Sequence, residues 1–206
     1  MQTDVPKTSI QRFLNGEVPK YIIPDIHRML QLRPQGNEGL AGCTIPTAMF
    51  LFVVADLFGF LVRTDSERPK LKDTPGNLRA IFAHPIANFP TDYSTRVDIL
   101  CHLFRHGLMH QIFPKAAGIR KVGVQTEVGA RAPLFKNFDG LDHLNVDRFG
   151  FDVLKMLANF REKLADNSRA DLNKQMSERL DQMSKRDFSE RKLKQAAAAK
   201  LKTRGK

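Results

Sequence analysis

Three histidines and one arginine fall within the nine residues from His102 to His110, inside a pattern that is otherwise apolar and helical. His102, His106 and His110 recur at intervals of four, so at about 100° per residue they form one narrow stripe on a helix. Val97, Leu100, Cys101, Phe104 and Leu108 gather on the other side of the same wheel. That side is the core face, and the histidines turn away from it. Such a stripe combines proton transfer with anion binding. Imidazole titrates close to cellular pH and can give or take a proton there. Arginine presents a rigid fork of donors matched to a phosphate.

Arg105 and His110 are five residues apart, which is about 140° around an ideal helix. Three arrangements bring them onto one phosphate: a distortion of the helix near Gly107, a curled arginine, or a partner group supplied by a second copy of the helix. The last also accounts for Ile99 and Leu103, apolar residues that flank the histidines on the outward face and need a cover.

The run Arg105-His106-Gly107-Leu108-Met109-His110-Gln111-Ile112-Phe113-Pro114 resembles the Arg-polar-(three to five residues)-His signature of the HEPN ribonucleases, helical-bundle proteins common among bacterial toxins and antiphage systems. The resemblance covers one helix of the chain. It implies a motif near a helix C-terminus, two copies converging across a homodimer interface, and RNA cut with no metal and no other cofactor. It also implies roles: Arg105 holds the scissile phosphate, His110 acts as general acid or base, and His106 fills the polar position. His102 then lies behind these groups. The nucleophile of that chemistry is the ribose 2′-hydroxyl, so the expected partner is RNA and not DNA.

Two other readings fit the same residues. The stripe is also what a solvated helix face looks like. His106 and His110, at i and i+4, can share a metal ion, although the chain has no HExxH pattern and only two separated cysteines, Cys43 and Cys101.

The scaffold around this stripe is read from patterning. A chain of 206 residues with 42% hydrophobic content can bury a real core. The expected fold is mainly α: a helical bundle with a small antiparallel β-hairpin and a long C-terminal helix. The bundle domain is expected over residues 1–165. Residues 166–206 are expected as a basic helical or partly disordered extension. All eleven prolines lie at or before Pro133, and no glycine occurs between Gly150 and Gly205, so the character of the chain changes near residue 150.

Within the first part, Ser9 to Leu14 reads as a brief helix and Ile26 to Leu32 as another, set off by Pro24-Asp25. Thr44 and Pro46 open a fully buried central helix reaching Val62. Pro46, Asp56 and Gly59 interrupt this segment, and it is short for a membrane span. Thr64 to Gly76 reads as an exposed loop, Asn77 to Ala83 as a short helix, and Asp92 to Ile112 as the histidine helix, closed at Pro114. Ile119 to Val128 and Ala132 to Phe138, with the Asp139-Gly140 turn, suggest the hairpin, with His143 on its surface. Asp147 is expected to cap the long helix whose stripe begins at Phe149. Beyond Asp166 the apolar stripe thins to Leu172, Met176, Leu180 and Met183, a narrow seam suited to a single packing partner, which can be another protein.

The net charge of +11 is uneven. Residues 185–206 hold nine cations against Asp187 and Glu190, a net +7, leaving +4 for the other 184 residues. Lys185, Arg186, Arg191, Lys192 and Lys194 are the candidate nucleic-acid contacts, acting by sequence-independent attraction to phosphates. A second class of function follows from the same features: a non-enzymatic helical interaction or nucleic-acid-binding protein that uses its basic tail and the seam. The two scattered cysteines and the absence of a charged-then-apolar leader at Met1 to Pro6 point to the cytoplasm. No internal repeat, Gly-rich phosphate loop, nucleophile elbow or zinc cysteine pattern occurs in the sequence.

Overall fold

A reciprocal cap fixes the first helix of the computed structural model. The Thr8 hydroxyl accepts from the Gln11 amide at 3.3 Å, and the Gln11 side chain accepts from the Thr8 amide at 3.0 Å. The structure describes residues 7–32, 44–64, 73–102, 118–120, 133–138, 141–165 and 167–187, and these are mostly helical. Helix α1 (Ser9–Arg12) runs without a break through the wider i→i+5 turns of Phe13–Ile22 into α2 (Ile23–Gln31). The sequence pattern divides this stretch into two short helices, and the structure joins them. Pro19 does not stop the chain, because the wider turn gives its ring room that an α-turn would not. Pro24 lies in the first turn of α2, where a missing N–H costs nothing.

Helix α3 (Thr44–Val62) is the centre of the fold. It is long and apolar enough to cross a membrane, but 61% of its most apolar stretch is buried against the rest of this chain, as in a core helix. Helix α4 (Thr74–Ala83) lies against it. It starts earlier than expected, inside the stretch read as a loop, because Asp73 accepts from the Gly76 amide at 3.3 Å and Pro75 suits the first turn. The two helices touch backbone to backbone at Gly59, where a Cβ would lie 2.0 Å from the Asn77 carbonyl oxygen.

The expected single helix from Asp92 is divided into α5 (Thr91–Thr95) and α6 (Val97–His102), with Arg96 out of helical geometry between them. The Ser94 and Thr95 hydroxyls donate back to the Thr91 carbonyl at 2.9 and 3.1 Å, side chains competing locally with the helix.

Three short strands come next: β1 (Gly118–Arg120), β2 (Phe135–Phe138) and β3 (Leu141–Asn145). β3 is central, antiparallel to β2 and parallel to β1. The segment near Ile119, expected as one arm of an antiparallel hairpin, therefore pairs in parallel, and residues 121–132 lie outside the described residues. His143 is half-buried in the central strand, opposite Lys136 of β2.

Helix α7 (Val146–Lys163) closes the core with Phe149, Val153, Met156, Leu157 and Phe160. Its cap is Asn145, whose side chain accepts from Arg148 at 3.1 Å, and not Asp147, which sits inside the first turn. Phe149 packs on Phe52 and Phe160 on Phe58, with centroids 4.9 and 5.3 Å apart.

Helix α8 (Ala170–Asp187) docks on α1 and α3. Met176 is fully buried, and Leu172, Leu180 and Met183 pack on the same core, so this chain itself covers the narrow seam. Ser177 accepts from the Ile10 amide at 3.2 Å, at the start of α1. Gln175 and Arg179 donate to the last carbonyls of α3. One helix therefore satisfies the open ends of two others.

Candidate functional site

Helix α6 precedes the motif in the chain, and α5 and α6 are each pinned to a neighbouring helix. Tyr93, fully buried in α5, donates to Asp152 Oδ2 at 2.8 Å, and Arg148 donates to the same oxygen at 2.7 Å. On the other side Arg79 of α4 pairs with Asp98 of α6. Val97, Leu100 and Cys101 point into the core, whereas Asp98 and His102 are exposed and Ile99 is 44% exposed. This is the division that the helical wheel assigns to the start of the histidine stripe. Arg105, His106 and His110 lie outside the described residues, as do Leu103, Phe104 and Leu108. Lys185 and Arg186 lie in the last turn of α8, and Arg191, Lys192 and Lys194 are outside the described residues.

The residue before His102 is in an unusual setting. Burial raises the Cys101 thiol to about 11, with Arg79, Asp98, Asp56 and Asp73 acting on it after that. Cys101 is thus a protonated, unreactive thiol at neutral pH.

Asp56 and Asp73 belong to a polar seam between α3 and α4. Asp56 is the only charged residue of α3. It accepts from Asn77 Nδ2 at 2.9 Å and from the Thr74 hydroxyl at 3.4 Å. Burial outweighs these bonds and raises its pKa. Arg63, one residue past the end of α3, donates to Asp73 at 2.7 Å and to Asn77 Oδ1 at 3.3 Å. Its hydrogen bond holds the Asp73 carboxyl below the usual carboxylate range.

Beside this seam an open cleft of about 450 Å³ is lined by Val62, Arg63, Thr64, Gly76, Arg79, Ala80, Ala83, His84 and Pro85. His84 ends α4 and stacks on Phe160 at 5.5 Å. Its Nδ1 accepts from the Ile86 amide at 3.3 Å, which places the proton of the neutral ring on Nε2. Burial lowers its pKa, and the positive charge of Arg169 adds to that effect. Among the described residues the lining of the cleft offers cationic and donor groups and no carboxylate. Sequence reasoning missed it because Arg63, Arg79 and His84 come from a helix end, a helix middle and a turn, with no spacing that links them. Among the described residues no group of three or more His, Cys, Asp or Glu side chains is placed to hold a metal ion.

The chain matches no protein-family model, no curated protein and no solved structure.

Proposed function

We propose that the protein is a metal-independent endoribonuclease of the HEPN type, a homodimer that cuts RNA by attack of the ribose 2′-hydroxyl on the adjacent phosphate. The observation that carries the reading is the motif Arg105-His106-x-x-x-His110 directly after a helix that buries Val97, Leu100 and Cys101 and exposes His102. Arg105 neutralises the charge that builds on the phosphate, and His110 moves a proton to or from the reacting oxygens. His106 orients the substrate. Ile99, exposed and apolar on the outward side of α6, is where a second copy would pack.

In this reading residues 1–165 are a helical bundle with a small antiparallel hairpin. Lys185, Arg186, Arg191, Lys192 and Lys194 in the 166–206 extension hold the RNA backbone. The activity is that of a cytoplasmic toxin or antiphage effector. Arg105→Ala and His110→Ala, assayed on RNA, should each abolish cleavage and leave the melting temperature nearly unchanged. Wild-type activity in both variants would eliminate the reading, and loss of folding in either would assign the motif a structural role.

The net +7 of residues 185–206 favours one other reading, a nucleic-acid-binding protein without catalysis. It differs in that RNA is bound and recovered intact.

A further inference from the structure

We propose that the cleft between α3 and α4 binds a phosphate-bearing ligand of nucleotide size through Arg63, Arg79 and His84. The site is separate from the Arg105–His110 motif and does not depend on the ribonuclease reading.

Charge is the first ground. Among the described residues the charged groups of the lining are Arg63 and Arg79, and the carboxylates that pair with them, Asp73 and Asp98, are not part of it. Arg169, close enough to depress the titration of His84, adds a further positive charge on that side. An anion entering the cleft therefore meets the N–H groups of two arginines whose charges Asp73 and Asp98 balance, together with the added charge of Arg169.

Preorganisation is the second ground. The Arg63 side chain is only 13% exposed and is held by Asp73 and Asn77. Gly76 makes room for the Arg63–Asp73 pair, since a Cβ there would overlap Asp73 Oδ2 and lie 2.6 Å from Arg63 Nη1. His84 is fixed by the Phe160 ring and the Ile86 amide, leaving Nε2–H as a donor. Because burial keeps the imidazole neutral, it donates without first taking up a proton. A carboxylate has two oxygens and is satisfied by one arginine fork. A phosphate group has enough oxygens to engage two guanidinium groups and an imidazole together.

Shape is the third ground. Val62, Ala80, Ala83 and Pro85 give the cleft small apolar walls suited to a sugar or base. Its volume of about 450 Å³ is within the range of small-ligand sites, roughly 300–1,000 Å³. The phosphate can belong to a free nucleotide or to a nucleic-acid strand.

The test is an amide-resolved NMR titration of the full-length chain with adenosine 5′-monophosphate, with a tetra-adenylate lacking a terminal phosphate, and with adenosine. The expected result is saturable shifts at Gly76, Arg79, Ala80 and Ala83 with one or both phosphate ligands and none with adenosine. Monophosphate binding alone assigns a free nucleotide, and tetra-adenylate binding assigns a strand. Arg79→Ala removes an exposed cation, and Ala80→Leu fills the wall with every charge kept. Each should weaken binding by about tenfold or more while the melting temperature stays near wild type. Absence of saturable shifts at these amides, equal shifts with adenosine, or unchanged affinity in both variants would overturn the assignment.

Discussion

Arg179 Nη1 donates to the carbonyl oxygen of Phe60 at 2.7 Å, joining a residue of the C-terminal helix to the end of the central one. The arginine is 8% exposed, and its guanidinium also lies over the Phe60 ring, 5.9 Å from the centroid. A buried cation is tolerable here because the last carbonyls of α3 form the negative end of its dipole. With Gln175 beside it, Arg179 supplies donors that this helix end lacks.

Arg179→Ala should therefore lower stability by about 2–3 kcal/mol and the melting temperature by roughly 5–10 °C. Chemical denaturation and calorimetry read both. Truncation separates the docked helix α8 from the basic segment beyond it: a chain ending at Asp187 should stay folded, whereas one ending at Arg169 should not. The cut at Asp187 should also weaken RNA binding and flatten its salt dependence, since it removes most of the excess charge.

Gly59→Ala should cost about 3 kcal/mol or more, at the upper end of overpacking penalties. The added methyl would meet the Asn77 carbonyl, a backbone atom that cannot swing aside. Gly16 has open space around its missing Cβ, so Gly16→Ala should be nearly neutral or slightly stabilising by the same denaturation assay.

The helical character and much of the core were legible because apolar periodicity reports burial directly, as at Phe149, Leu157 and Phe160. The boundaries were less so. Proline breaks helices by its chemistry, yet Pro19 sits in a wide turn and Pro75 inside a capped first turn. Arg96 carries no breaker signal, and the break there involves neighbouring hydroxyls that also suit a helix. The Leu172–Met183 seam showed its narrowness but not its partner, which only the tertiary fold supplies. The cleft was invisible for the same reason. The start of the histidine stripe was legible because three adjacent turns repeat one spacing.

Asp56 gives a pH signature. Burial raises its pKa, so the folded state favours the protonated carboxyl. That contribution is present on the acid side of the ordinary carboxylate range and is lost as pH rises through the raised value. Asp56→Asn lacks the dependence and keeps an acceptor for Asn77. The variant should gain on wild type as pH climbs toward neutrality, and the gap should close in acid. A gap that widens as pH falls would show that the carboxylate is held ionised instead.

Ile99 tests the dimer. Placing a charge there by Ile99→Arg should convert a dimer to a monomer in light scattering, with an unchanged circular dichroism spectrum, because the side chain is 44% exposed and outside the core. RNA cleavage should fall with the dimer. A wild-type chain that is already monomeric at micromolar concentration would remove the shared site.

The ribonuclease reading is tested most directly by the chemistry of the product ends. RNA should be cut in excess EDTA, because arginine and histidine do what a metal would otherwise do. The 5′ fragments should end in 2′,3′-cyclic phosphate, and a substrate with a 2′-methoxy group at the cut site should remain intact. Cleavage that needs zinc or manganese, or that persists on the 2′-methoxy substrate, would contradict the assignment of Arg105 and His110.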